Sequence, residues 1–278
     1  MTVERFFELF LEELKENRDL TAYYKFLEDP RKMAFRKAYF CQRLQYVSEH
    51  VGGTRQDIWD CGSGYGTTAL FLALNGYRVY GNTLEFYFRH LDARRAFWSR
   101  YGDVSGFTCT YEDIYDVHFD RSFDTVIVQD TLHHLLPLDE GIRILHRALK
   151  MDGRLVVVEE NGCNIAQRIK LFRQRGFNRK VEVYDESLQK TVRFADEQIR
   201  CLDDWRRMLE KAGFRMDAGS EQYIRFYPPQ FFVRRAYEDV LLKEQRIAKT
   251  NRTLAKYFFF GINFTLQKCA AESVSLQP

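Results

Sequence analysis

Val3, Phe6, Phe7, Phe10, Leu11 and Leu14 fall at i, i+3, i+4, i+7, i+8 and i+11, the spacing that lines one face of an amphipathic helix. A second helix is expected over 31–49, after Pro30. From residue 57 onward, short apolar runs alternate with helix-like stretches. Strands are expected near 57–61, 77–82, 106–110, 123–129 and 153–159. That alternation predicts an α/β fold with a doubly wound sheet. Residues 161–198 break it, being polar, basic and weakly periodic. Order returns with a helix near 202–212, ended by Gly213 as a C-cap glycine would end it. Strands near 220–227 and 256–267 flank a further helical stretch, and in the second of them Phe258, Phe260, Ile262, Phe264 and Leu266 alternate. The expected organisation is an N-terminal helical cap over 1–50 and a main domain over 51–278, with 161–198 as a lid or insertion.

Composition narrows the function classes. The chain has 278 residues, enough for one substantial domain with additions. A formal net charge of +3 argues against a dedicated nucleic-acid binder, which concentrates basic surface. Its six cysteines include no C-x-x-C pair, which disfavours structural zinc and makes reduced cytoplasmic thiols the expectation. The N-terminus lacks a signal-peptide core and no apolar run reaches the length of a membrane span. A cytoplasmic protein without a membrane span is expected.

The chemistry is signalled by Ile58–Glu85, IWDCGSGYGTTALFLALNGYRVYGNTLE. A short strand ends at Asp60; Gly62, Gly64 and Gly66 follow at alternate positions; Thr67–Leu74 then reads as a helix, and Tyr77–Tyr80 as the next strand. Strand, glycine turn, helix and strand form one βαβ unit. Glycine serves where the chain turns sharply and where a ligand meets bare backbone. The helix start adds unpaired N–H groups that favour an anion. The dinucleotide fingerprint would need its third glycine where Thr67 stands, which disfavours a nicotinamide-dependent oxidoreductase. No Gly-Lys-Ser/Thr follows, so the phosphate-loop pattern fails as well.

Four segments in order resemble class I S-adenosylmethionine-dependent methyltransferases, in the style of the small-molecule enzymes of quinone biosynthesis. They are Asp60–Gly66; Glu112-Asp113-Ile114; Ser122–Ile127 running into Leu132-His133-His134-Leu135; and Arg147–Lys150 followed by Gly153–Val157. The resemblance implies a Rossmann-like, seven-stranded sheet with its last strand antiparallel. It also implies S-adenosyl-L-methionine as cofactor and a set of residues to hold it. Asp60, Gly62, Ser63, Gly64 and Gly66 would face the methionine portion, Asp113 the adenine amine, and Ile114 the ring; Gln129 joins them at the end of the fourth strand. The family's ribose-binding acid falls at Thr83, which cannot accept two bonds as a carboxylate does. Glu85, two residues on, keeps strand parity and is assigned to the ribose instead.

The resemblance further implies methyl transfer to a small acceptor, either O- or C-methylation. His133 and His134 follow the fourth strand at its carboxyl end, where open α/β sheets bind ligands. They are the candidate catalytic bases, with His134 favoured. Asp130, Glu159, Glu160 and Asn161 stand where catechol-type relatives hold a divalent ion, but metal-free relatives carry acids there too, and no metal is expected. The N-terminal aromatics Tyr23, Tyr24, Phe35, Tyr39 and Phe40 suggest an aromatic or lipophilic acceptor. The basic 162–194 segment suggests an anionic one, recruited by a movable lid and tethered in one version to an acyl carrier protein. A non-catalytic adenosylmethionine-binding protein with the same fold stays open as an alternative.

Overall fold

The architecture is that of a computed structural model, which describes residues 1–53, 56–84, 86–176, 180–195 and 197–269. Strands β1 (Asp57–Cys61), β2 (Arg78–Thr83), β3 (Phe107–Tyr111), β4 (Phe123–Gln129) and β5 (Leu149–Glu160) pair in parallel in the order β3-β2-β1-β4-β5. Helices α4 (Thr67–Leu74), α5 (Leu91–Trp98) and α6 (Leu138–Ala148) lie between them in the chain. The chain reverses direction across the sheet at β1, between β2 and β4. Open α/β sheets place their ligand crevice at such a switch point.

Successive residues of the central strands serve opposite faces. Ile127 and Val156 join one core cluster, whereas Val126, Val128, Leu155 and Val157 join the other. Strands buried on both sides therefore read as continuous apolar runs. The first face is covered by α4, α5 and the N-terminal helices α1 (Val3–Glu16), α2 (Arg18–Tyr24) and α3 (Met33–His50). The predicted stripe of α1 is buried there, with Phe6 stacked 4.2 Å from Trp98. The opposite face is packed by α6 and α8 (Leu202–Lys211), which contribute Leu145 and Trp205.

Beyond β5 the structure is more ordered than the sequence pattern suggests. Residues 161–198 hold a helix, α7 (Ile165–Arg175), and an antiparallel hairpin of β6 (Lys180–Asp185) and β7 (Lys190–Ala195). The final strand, β10 (Gly261–Lys268), is antiparallel to β5 as expected. It begins later than the sequence suggests, because Asn251 caps helix α10 (Arg252–Phe258), its Oδ1 accepting from Leu254 N at 3.0 Å. The edge position expected for one strand is divided between β8 (Phe214–Met216) and β9 (Gln222–Ile224), both paired to β10. The sheet thus has eight strands in seven positions. Helix α9 (Tyr237–Thr250) packs against α3 and α10.

Two cysteines depart from the expectation of reduced thiols. Cys163 and Cys201, with Cα atoms 4.9 Å apart, form a disulfide across the base of the insertion. Cys41, Cys61, Cys109 and Cys269 are free. Among the described residues, no helix is long and apolar enough to cross a membrane.

Candidate active site

The turn after β1 is held from behind. Asn82, buried at the end of β2, accepts from Trp59 Nε1 at 2.8 Å and donates through Nδ2 to the Glu112 carbonyl at 3.1 Å. Ser63 N donates to the Asn82 carbonyl at 2.9 Å. One side chain therefore ties β1, β2 and the segment after β3 around the turn, and nothing in the glycine motif points to it. Gly62 (φ 73°) has room for no side chain, since a Cβ would come within 2.6 Å of Thr131 Oγ1. At Gly66 (φ 70°) the obstacle is the Phe107 ring, 2.8 Å from such a Cβ. Gly66 thus serves helix–strand packing and the start of α4.

In front of the turn lies a cavity of about 940 Å³. Its walls include Asp60, Gly62, Ser63, Gly64, Thr83, Asp113, Ile114, Gln129 and His134, which come from four strand ends. Gly66 and His133 are absent from its lining. Glu85, assigned to the ribose, lies outside the described residues. Thr83 itself is buried at the cavity wall.

Electrostatics distinguish the acids. Asp60 is buried and its carboxylate has no hydrogen-bond partner among the described residues; burial pushes its pKa up to about 7. A buried carboxyl group without a donor is suited to a cationic ligand group. Asp113 is already engaged. Its Oδ1 accepts from Tyr115 N at 3.2 Å and its Oδ2 meets Lys190 Nζ from the hairpin at 2.8 Å. Lys190 also reaches Asp116 at 2.6 Å, and the Tyr111 hydroxyl donates to Asp185. The insertion is thereby fastened across the Asp113 end of the cavity, and its residues Val183, Val192 and Phe194 complete the wall.

The two histidines differ in kind. His133 is buried, and its Nδ1 donates to Glu159 at 2.5 Å. Burial alone would depress its pKa, but the Glu159 carboxylate outweighs that and holds it up at about 9. His133 is therefore an imidazolium at neutral pH, behind the cavity, and has no lone pair for a proton. His134 lines the cavity, and its Nδ1 lies 2.8 Å from the Ala195 carbonyl. A carbonyl only accepts, so Nδ1 carries a hydrogen, and in the neutral ring Nε2 is the nitrogen with the lone pair.

The acids after β4 and β5 are divided among separate partners. Arg43 pairs with Asp130, and its charge overrides burial to hold that carboxyl below its ordinary pKa. Glu160 pairs with Arg225 at 3.1 Å, Glu159 accepts from Leu132 N and His133, and Asn161 donates to the Lys256 and Phe259 carbonyls. These four do not converge on one point. Among the described residues, the one group with potential ligand atoms within 4.8 Å of one another is His133, His134 and Glu197. There the His133 imidazolium already supplies positive charge, 3.9 Å from Glu197.

Sequence reasoning missed the arginines. Arg36, Arg43 and Arg225 line the cavity beside Tyr24, Phe35, Tyr39 and Phe40. Arg43 and Arg225 are ion-paired, but the Arg36 Nη1 is buried without a hydrogen-bond partner among the described residues.

The methyltransferase domain family matches residues 59–157, the stretch that builds β1 through β5. Residues 59–157 thus carry a methyltransferase domain, and the fold around them is shared with S-adenosylmethionine-dependent methyltransferases. No curated protein matches the sequence. Solved structures share the fold at low identity. A methyltransferase from Methanosarcina mazei is 20% identical, with a TM-score of 0.52 over 80% of this chain and 97% of that one. The phosphoethanolamine N-methyltransferase 2 of Haemonchus contortus, in complex with phosphomonomethylethanolamine and S-adenosylhomocysteine, is 19% identical, with a TM-score of 0.53 over 82% of this chain and 52% of that one. The [4+2]-cyclase SpnF is 16% identical, with a TM-score of 0.54 over 85% and 82%. A second structure of the Haemonchus contortus enzyme holds S-adenosyl-L-methionine. The site accommodates it. The unpartnered Asp60 carboxyl suits its ammonium, and the side-chain-free Gly62 turn at the start of α4 suits its carboxylate.

Proposed function

We propose that this methyltransferase transfers a methyl group to a small aromatic or lipophilic acceptor that carries an anionic group, with His134 as the general base. The observation that carries the reading is the composition of the cavity. The methionine-binding turn opens into a chamber lined by Tyr23, Tyr24, Phe26, Phe35, Tyr39 and Phe40, in which Arg36 Nη1 has no hydrogen-bond partner among the described residues. Aromatic walls favour an apolar ring, and an uncompensated guanidinium favours a carboxylate or phosphate. Bound adenosylmethionine supplies an electrophilic methyl on a sulfonium. The chain's own part is to hold the acceptor in line, exclude water and receive a proton at His134 Nε2.

The hairpin closing the cavity supports a lid that opens for exchange. The setting we propose is cytoplasmic, where the Cys163–Cys201 bond would be open to reduction. Turnover of His134→Ala and His133→Asn at saturating cofactor, assayed with phenolic and hydroxylated carboxylic acids, tests the assignment. The expected loss for His134→Ala is about 10²–10⁴-fold, the usual worth of a general base. An unchanged rate across pH 5.5–9 removes the base role.

A further inference from the structure

From Asn161 to Val181 the chain holds no acidic residue and six basic ones: Arg168, Lys170, Arg173, Arg175, Arg179 and Lys180. For a chain whose total net charge is +3, this is a strong local concentration. Helix α7 occupies the middle of that run. Its Ile165, Ile169 and Phe172 are 47%, 48% and 52% exposed. At 100° per residue these three fall within about 60° of one another. Leu171 and Gln167, on the opposite side, are buried. Arg168 and Arg173 flank the exposed apolar stripe, one on each side. Val183 and Tyr184 of the neighbouring hairpin are also exposed, as are Tyr257 and Phe258 on α10, which packs against α7.

Ordinary explanations do not fit this helix. An exposed helix of a globular protein turns its apolar residues inward and its charges outward. Here Leu171 and Gln167 face inward, while the larger apolar stripe of Ile165, Ile169 and Phe172, edged by arginines, faces out. A second copy of this surface would bring two acid-free basic runs together, which like-charge repulsion opposes. A bilayer with anionic headgroups satisfies both features. Its acyl boundary takes the isoleucines and phenylalanine, and its phosphates take the flanking guanidiniums.

We propose that α7 is a membrane-surface helix that docks the enzyme on anionic lipid, its axis in the interfacial plane. Because α7 leads directly into the hairpin over the cavity, docking presents the cavity's lid to the lipid, where a lipophilic acceptor resides. The inference concerns binding and stands whether or not the acceptor assignment holds.

The test is co-sedimentation of the full chain with vesicles of phosphatidylcholine alone and of phosphatidylcholine mixed with phosphatidylglycerol. The anionic vesicles should bind at least about tenfold more tightly, with binding weakened by salt. Ile169→Asn with Phe172→Asn should reduce partitioning about tenfold or more. Arg168→Gln with Arg173→Gln should remove the preference for anionic lipid. These positions face outward, and unchanged adenosylmethionine affinity by calorimetry will show that each variant is folded. No binding to either vesicle overturns the proposal, as does equal binding of parent and Asn variants. Capture of an acidic carrier protein by this surface in place of vesicles also overturns it.

Discussion

The carboxylate of Glu13 and the guanidinium of Arg94 meet at 2.7 Å in a site that excludes solvent from both, their side chains being 3% and 0% exposed. The pair lies 81 residues apart in sequence and joins α1 to α5. Arg94 continues to the Tyr65 carbonyl at 2.6 Å and to Thr67 Oγ1 at 2.7 Å, while Trp98 Nε1 donates to Glu13 at 2.9 Å. The N-terminal helices are thus connected to the glycine turn through this guanidinium, and also through the Tyr24 hydroxyl, 2.6 Å from Thr67 Oγ1.

Removing one partner of a buried ion pair leaves the other charge uncompensated, at a cost of about 3–5 kcal/mol. Glu13→Gln is expected to lose stability in that range by urea denaturation. It should also weaken adenosylmethionine binding, because the carbonyl and hydroxyl held by Arg94 flank Gly66. Exposed Glu12→Gln, whose ion pair with Lys15 lies in solvent, should change neither by much. Equal effects of the two substitutions would show that the network does not support the turn.

His133 gives the protein a pH dependence of definite sign. Its folded pKa of about 9 lies above the ordinary histidine value of 6.5. The stabilisation is therefore complete below pH 6.5 and is lost as pH rises through 9. A shift of this size corresponds to roughly 3 kcal/mol. Urea titrations from pH 6 to 9.5 should show stability falling in the parent, and the fall should be absent in His133→Asn. A parallel fall in both proteins would move the effect to other groups.

Asp60 behaves oppositely from the ligand's side. Its folded pKa of about 7 exceeds the ordinary 3.8, so the free protein loses stability as pH rises from about 4 to 7, where only the unfolded chain has released the proton. A cofactor ammonium beside the carboxyl would favour its charged form. Adenosylmethionine binding below pH 7 should then release a proton, and affinity should rise between pH 5.5 and 7.5. Calorimetry in buffers of different ionisation enthalpy measures that proton directly. Asp60→Asn should abolish it, and proton release surviving in that variant would place the ammonium elsewhere.

Much of this arrangement is legible in the sequence because local rules govern it. The α1 stripe, the apolar runs of the central strands and the turn before Thr67 follow from periodicity and glycine chemistry. The hairpin was less readable. Val181 and Val183 alternate, as do Val192 and Phe194, but a turn without Asn-Gly or Asp-Gly and the charged residues between them obscure the pattern. The sequence placed Phe258 in a strand because it is in phase with Phe260 and Ile262; the Asn251 cap claims it for α10 instead. No local pattern identifies Glu159 as the partner of His133, or Glu13 as that of Arg94. Such pairs exist only once the sheet brings distant segments together, and they separate the buried imidazolium of His133 from the cavity-facing His134.

Lys190 latches the hairpin over the Asp113 end of the cavity. Lys190 holds the hairpin to Asp113 and Asp116, and any opening of the lid must break those contacts. A partly exposed ion pair is worth about 1 kcal/mol or less, so Lys190→Met should speed cofactor dissociation by up to roughly fivefold. Association should quicken as well, because the closed state of the free protein loses the same contacts. Affinity should then change little, since Asp113, released from the lysine, remains able to accept from the adenine amine. Asp113→Asn differs in kind: it weakens the latch and also removes the carboxylate, so dissociation should quicken by more than association and affinity should fall. Stopped-flow tryptophan fluorescence with adenosylmethionine measures both rate constants. If Lys190→Met leaves both at parental values, the hairpin does not gate the cofactor, and the lysine merely neutralises two acids.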